Sequence, residues 1–241
     1  NTYDGVAPDA ELWNVKVLDN TGHGAESWIM EGIDYALNPD GNAETNDGAQ
    51  VLNLSLGGPY TSVGSPLVTK VEAAVAAGAI VVIAAGNCGA GCPSAECQGF
   101  VGVETPGVSP SAITVGAVDD AAQWACFSGG GLVSGQVKPD VVAPGVSITS
   151  SGLSGGVSTL SGTSASTPHV SGLAALLVQA NPGIAPQNVK SLLEQTAIDF
   201  GDPGKDSKYG SGMVDASALL PSSVLNLLKY QLSVSSAVID K

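Results

Sequence analysis

Gly162-Thr163-Ser164-Ala165-Ser166-Thr167-Pro168-His169-Val170-Ser171-Gly172 runs directly into Leu173-Ala174-Ala175-Leu176-Leu177-Val178. A turn of small residues here delivers a hydroxyl to the start of a long apolar helix. The first N–H groups of a helix have no partner within it, and its dipole is positive at that end, so developing negative charge is favoured there. Pro168 is read as a first-turn residue, where a missing N–H costs little. Gly172 and the alanines give the helix a thin surface suited to burial against a sheet. Ser164 is the candidate nucleophile. An N-capping serine would explain Ser164 alone, but not the ten residues around it.

Outward from this stretch the chain reads as alternating strands and helices. Val51-Leu52-Asn53-Leu54-Ser55-Leu56-Gly57-Gly58, Ala79-Ile80-Val81-Val82-Ile83-Ala84-Ala85 and Ala112-Ile113-Thr114-Val115-Gly116-Ala117-Val118 are apolar runs of the length and β-branched content expected of strands buried on both faces. Trp13 to Leu18 alternates and is read as a further strand. Helical spacing covers Gly24–Leu37, Ser65–Ala77 with Gly78 closing it, the serine helix, and Ala185–Ala197. Strand–helix–strand order needs crossovers, so the strands should pair in parallel. At 241 residues the chain can bury one α/β core.

The chain carries 22 acidic against 8 basic residues, a net charge of −14. That balance excludes a nucleic-acid partner, because nothing displaces phosphate counterions, and it suits an extracellular or saline setting. No apolar run is long enough to span a bilayer, so no membrane partner is expected. Asn1 opens no basic-then-apolar leader, and a secretion signal would have been removed or lie upstream. Cys88, Cys92 and Cys97 cluster in a Gly/Pro/Ser loop, with Cys126 apart. Two disulfides in any of three pairings, free thiols, and a zinc site all stand as readings, although no C-x₂-C pair and no nearby histidine supports the last.

The serine stretch closely resembles the nucleophile motif of subtilisin-like serine proteases, G-T-S-M-[AS]-x-P-H-V-[AS]-G, with Ala165 in place of the usual Met. Gly5-Val6-Ala7-Pro8, Val15-Lys16-Val17-Leu18 and Gly210 to Ala216 also resemble that family. The resemblance implies a three-layer α/β fold with a mostly parallel sheet and helices on both faces, covering residues 1–220 and lacking the family's N-terminal part. Residues 221–241 read as an appended helix or tail. It also implies a serine endopeptidase acting on polypeptides, with Ser164 as nucleophile and Asn87, from Ala84-Ala85-Gly86-Asn87, as the oxyanion donor. The bland reading of Asn87 is a turn residue after a strand. Ser55-Leu56-Gly57 would add a substrate strand on one side of a groove, with Gly22-His23-Gly24 on the other. No catalytic cofactor is implied. Structural calcium is admitted, and Asp140 matches a family position near a weak cation site, though a surface carboxylate is the preferred reading there.

A serine nucleophile needs a base and an orienting carboxylate. His169 lies inside the serine motif, where the family carries a structural histidine. Asp19-Asn20-Thr21-Gly22-His23-Gly24 superficially resembles both missing motifs run together, but its flanks fit a later strand and helix. The triad's Asp and His are therefore expected from an upstream segment or a separate chain. The alternatives are a truncated, inactive homologue that binds or supports, and an esterase of another fold. The latter is disfavoured because its elbow wants G-x-S-x-G and position 166 is Ser.

Overall fold

Four short strands form a parallel sheet, three of them buried on both faces and the edge strand, which carries exposed Asn53, alternating. They are β1 (Val51–Leu54), β2 (Ile80–Ala84), β3 (Ile113–Val118) and β6 (Val141–Pro144), in the order β1-β2-β3-β6. The computed structural model describes residues 5–220 except 43, 61, 93, 94, 153 and 154, so the expected tail at 221–241 lies outside the described residues. Register runs Val51↔Ile80, Val82↔Ile113 and Val115↔Val141. Successive side chains then alternate between faces. Ile80, Val82, Ile113, Val115 and Val141 pack against α3 (Thr163–Ala180) and α4 (Pro186–Thr196). Leu52, Leu54, Val81 and Ile83 pack against α1 (Glu26–Leu37) and α2 (Pro66–Ala76). The result is three layers, helices over both faces of the sheet, as the sequence implies.

The smaller elements sit around this frame. Ser65 caps α2 by accepting the Val68 N–H at 3.1 Å, with Pro66 at the first helical position. β4 (Gly131–Val133) and β5 (Gln136–Lys138) form one antiparallel ribbon, β7 (Ile148–Ser151) and β8 (Val157–Leu160) another, and α5 (Ala216–Leu219) closes the described chain. Among the described residues no helix is long and apolar enough to cross a membrane.

Cys88 pairs with Cys97 and Cys92 with Cys126, which resolves the open cysteine reading in favour of two disulfides. No free cysteine remains.

Two expectations change. Trp13–Leu18 forms no ladder among the described residues. Val15 and Val17 rest on the α1–α2 side of the core, but the segment has no strand beside it. Between residues 7–17 and β1 lies a cleft of about 1250 Å³, floored by Leu52, Leu54 and Leu176. A strand pattern without a neighbour has no ladder to complete. On that side β1 has no partner among the described residues.

Asp140 is not a surface carboxylate. It is 1% exposed. Its Oδ2 meets Lys138 Nζ at 2.7 Å and Lys190 Nζ at 3.1 Å, its Oδ1 meets Lys205 Nζ at 3.0 Å, and Oδ2 also accepts the Thr114 N–H at 2.8 Å. Lys205 reaches on to Glu194 at 2.6 Å. With both oxygens held by ammonium groups, this site does not fit a cation. Among the described residues, no group of three or more His, Cys, Asp or Glu is placed to hold a metal ion. Burial alone would raise Asp140, but the lysines, Lys138 foremost, hold it well below the usual carboxylate range. Burial pushes Lys138 down to about 8, against the pull of Asp140.

Asp140→Asn should therefore cost about 3–5 kcal/mol in denaturant unfolding, because it strands buried ammonium groups. Lys138→Met should cost far less, since two lysines still neutralise Asp140. A carboxyl whose folded pKa is depressed stabilises the fold above its unfolded value of about 4 and loses that contribution as pH falls through the folded value. In the wild type the acid limb of the stability profile should be steeper than in Asp140→Asn.

Candidate active site

The first turn of α3 is capped from outside. Its N-cap is Gly162, which has no side chain to offer, and the carboxamide oxygen of Asn87 instead accepts the Thr163 N–H at 2.9 Å. The Thr163 hydroxyl meets the same oxygen at 3.1 Å and accepts the Gly86 N–H at 3.1 Å. Thr163 is fully buried. Oδ1 is committed to two donors, and among the described residues Asn87 Nδ2 has no hydrogen-bond acceptor. The N–H of Ser164, the second residue of α3, lies beyond reach of the helix's own carbonyls.

Both groups lie beside the position that a side chain at Gly162 would take. A Cβ built on Gly162 would stand 3.4 Å from Asn87 Nδ2, 3.5 Å from Asn87 Oδ1 and 3.7 Å from Ser164 N. The missing side chain at 162 keeps that space clear. Donors fixed in advance around a vacant position would stabilise negative charge appearing there.

Ser164 is linked to the end of β1 by a reciprocal pair. Its hydroxyl donates to the Ser55 carbonyl at 3.2 Å, and the Ser55 hydroxyl donates to the Ser164 carbonyl at 2.9 Å. The second bond explains the proline. Pro168 is the sixth residue of α3, past the first turn where the sequence reading put it. Its missing N–H is the one that would have bonded the Ser164 carbonyl. Ser55 takes over that carbonyl, and Asn53 Nδ2 in turn donates to the Ser55 hydroxyl at 2.9 Å.

Ser55-Leu56-Gly57 thus follows β1, Asn87 follows β2, and Ser164 starts the helix packed across both. This is the carboxyl end of a parallel sheet, the usual place for ligands in such folds. Among the described residues neither histidine side chain hydrogen-bonds Ser164 or Asn87. His169 Nδ1 donates to the Ala165 carbonyl at 2.9 Å, one turn back on its own helix. His23 Nδ1 lies 3.0 Å from the Thr21 hydroxyl, in an exposed turn whose Asp19 carboxylate accepts Thr21 N, Thr21 Oγ1 and His23 N. The Thr21 hydroxyl, more than the backbone bonds, holds Asp19 down at about 2. Among the described residues no hydrogen bond joins Gly22, His23 or Gly24 to Ser164.

The sequence reading missed two residues. Thr163 sets the orientation of Asn87, and its place between Gly162 and Ser164 was the available signal. Glu104, 17 positions beyond Asn87, accepts the Asn87 N–H at 2.8 Å. No local pattern marks it.

The subtilase family profile (peptidase S8) matches residues 1–212. The chain belongs to the subtilase family. Among curated relatives, it is 41% identical over 214 residues to "Subtilisin" of Bacillus pumilus, covering 89% of this chain and 69% of the relative. It is 41% identical over 214 residues to "Subtilisin E" of Bacillus subtilis (strain 168), covering 89% of this chain and 50% of the relative. With "Alkaline protease" of Alkalihalobacillus alcalophilus it shares 39% over 216 residues, 89% of this chain and 49% of the relative. This subtilase chain therefore spans about half to two thirds of the relatives it matches.

Thr163→Val keeps the shape but strands the Gly86 N–H in a buried position. That should destabilise the subtilase chain by about 1–3 kcal/mol, read as a shift in denaturant midpoint at unchanged slope.

Proposed function

We propose that this chain is the serine-bearing part of a subtilisin-like serine endopeptidase. Ser164 Oγ attacks a peptide carbonyl, and the oxyanion forms in the open spot between Asn87 Nδ2 and the Ser164 N–H. The triad's His and Asp come from a segment outside these 241 residues. His takes the serine proton on attack and returns it to the leaving amine; water then hydrolyses the acyl-enzyme. The observation that carries this reading is the paired donors around the side-chain-free Gly162, beside the Ser164 hydroxyl.

The substrate strand would run along Ser55-Leu56-Gly57, with Gly22-His23-Gly24 on its other side. The segment carrying His and Asp would dock in the cleft beside the free side of β1, where a strand could pair and bury the apolar floor. Two disulfides suit an oxidising, extracellular setting.

Two measurements test this. The 241-residue chain alone should not turn over peptides, because loss of triad members leaves only about 10³–10⁴-fold over water. Adding the upstream segment of the same precursor should restore turnover, and a serine-directed phosphonate should then label Ser164 alone. Labelling spread over several serines would sink the nucleophile assignment. Turnover by the chain alone, abolished by His23→Ala, would mean that the base is His23. A completed complex that binds peptides without cleaving them would favour the binding-protein reading.

In the completed enzyme Asn87→Ala should lower kcat by roughly 10²–10³ with KM nearly constant. That magnitude is carried over from the corresponding donor of a subtilisin, a member of this family. A change confined to KM would move Asn87 from transition-state stabilisation to substrate binding.

A further inference from the structure

Glu104 stands between the chain segments that follow β1 and β2, Leu56-Gly57 on one side and Gly86-Asn87 on the other. Its backbone N–H bonds the Ala85 carbonyl at 2.9 Å, beside the Gly86-Asn87 turn, and the next residue's carbonyl accepts the Gly58 N–H at 2.9 Å. Residues 104–105 therefore bridge the ends of β1 and β2 beneath the groove. The side chain touches both walls. A Cβ on Gly57 would come within 3.0 Å of Glu104 Oε2, and one on Gly86 would collide with Glu104 Cγ and Cδ. Two glycines thus leave room for this one carboxylate.

Among the described residues the carboxylate has no cationic partner. Oε1 accepts the Asn87 N–H at 2.8 Å, and the Cys88 N–H also bonds the group. Glu104 is half-buried. Burial pushes its pKa up, and the two backbone bonds only partly offset this. A desolvated carboxylate of this kind is completed by a charge-assisted hydrogen bond from a ligand cation.

The position fixes which part of a substrate meets it. If the attacked carbonyl lies against Asn87 Nδ2, the side chain of the residue owning that carbonyl starts one bond away. It enters the slot between Leu56-Gly57 and Gly86-Asn87. We propose that Glu104 sets the specificity of the groove, selecting peptides with lysine or arginine at the residue whose carbonyl Ser164 attacks. This rests on the endopeptidase reading above. The chain's net charge of −14 acts in the same sense, drawing basic peptides toward the protein.

The test uses the enzyme complete with its His- and Asp-bearing segment. Three peptides are compared, identical except for lysine, norleucine or glutamate before the scissile bond. The wild type should favour lysine over norleucine by about tenfold or more in kcat/KM, with glutamate poorest, and added salt should compress the ratio. Glu104→Gln still accepts the Asn87 and Cys88 N–H groups, yet should bring the lysine-to-norleucine ratio toward one. A wild-type ratio near one would overturn the proposal without any variant. A fall shared equally by all three peptides in Glu104→Gln would also overturn it, leaving Glu104 as a support for the Asn87 loop. If no peptide is cleaved, the endopeptidase reading fails, and Glu104 is read by binding instead. Peptides ending in lysine or norleucine are titrated calorimetrically onto wild type and Glu104→Gln. Tighter binding of the lysine peptide, lost in the variant, supports the proposal; equal Kd values overturn it.

Discussion

The hydrogen bond from the Thr163 N–H to the Asn87 carboxamide oxygen ties the site together. A helix that begins on glycine has no capping side chain of its own, and its first N–H groups must be satisfied from elsewhere. Here the cap comes from the end of β2. One contact fixes where α3 starts relative to the sheet, sets Asn87 Nδ2 beside the position that a side chain at Gly162 would take, and leaves the Ser164 N–H uncommitted. Stability and charge stabilisation are thus drawn from opposite ends of one amide.

A second compensation works from β1. Proline inside a helix strands a carbonyl, and in α3 that carbonyl belongs to Ser164. The Ser55 hydroxyl repairs the loss, so Ser55 serves the helix through its side chain while its backbone remains on the groove. The unusual features of the serine stretch are therefore linked. Glycine at the cap clears the space, threonine anchors the amide, and proline frees a carbonyl for a strand end to hold.

Most of the fold was legible because burial on both faces leaves a plain mark. The runs at 51–54, 80–84 and 113–118 are mostly apolar, broken by Asn53 in the first, and each became a parallel strand. Trp13–Leu18 carried an equally good strand pattern, yet a ladder needs a partner, and pattern alone cannot supply one. Asp140 misled for a related reason. Its three lysines come from positions 138, 190 and 205, and only folding brings them together around one carboxylate. Ser164 and Asn87 were singled out through motif and strand-end position. Glu104 was not, because its meaning depends on Gly57 and Gly86, which lie far from it in sequence and adjacent in space. The cysteine pairing was open for the same reason: spacing constrains loops, not partners.

The geometry also separates two requirements of acyl transfer. Stabilising an oxyanion needs donors that do not have to reorganise, and in the proposed site they would be backbone and carboxamide groups held by a buried threonine and a parallel sheet. Activating a hydroxyl needs a base whose protonation changes during the cycle. The first requirement is built from the ends of β1, β2 and α3, all packed on one core. Nothing in that arrangement depends on a histidine: the Ser164 hydroxyl is parked on the Ser55 carbonyl, a bond that a base must replace with its own. Thr163 itself is matched, its N–H and hydroxyl on Asn87 Oδ1, its hydroxyl also taking the Gly86 N–H, and its carbonyl taking the Thr167 hydroxyl. Among the described residues β1 has no neighbouring strand on its outer edge, and an open cleft lies beside it. The driving force for completing the site would then come from burying the cleft's apolar floor and pairing the strand edge, rather than from the chemistry at Ser164.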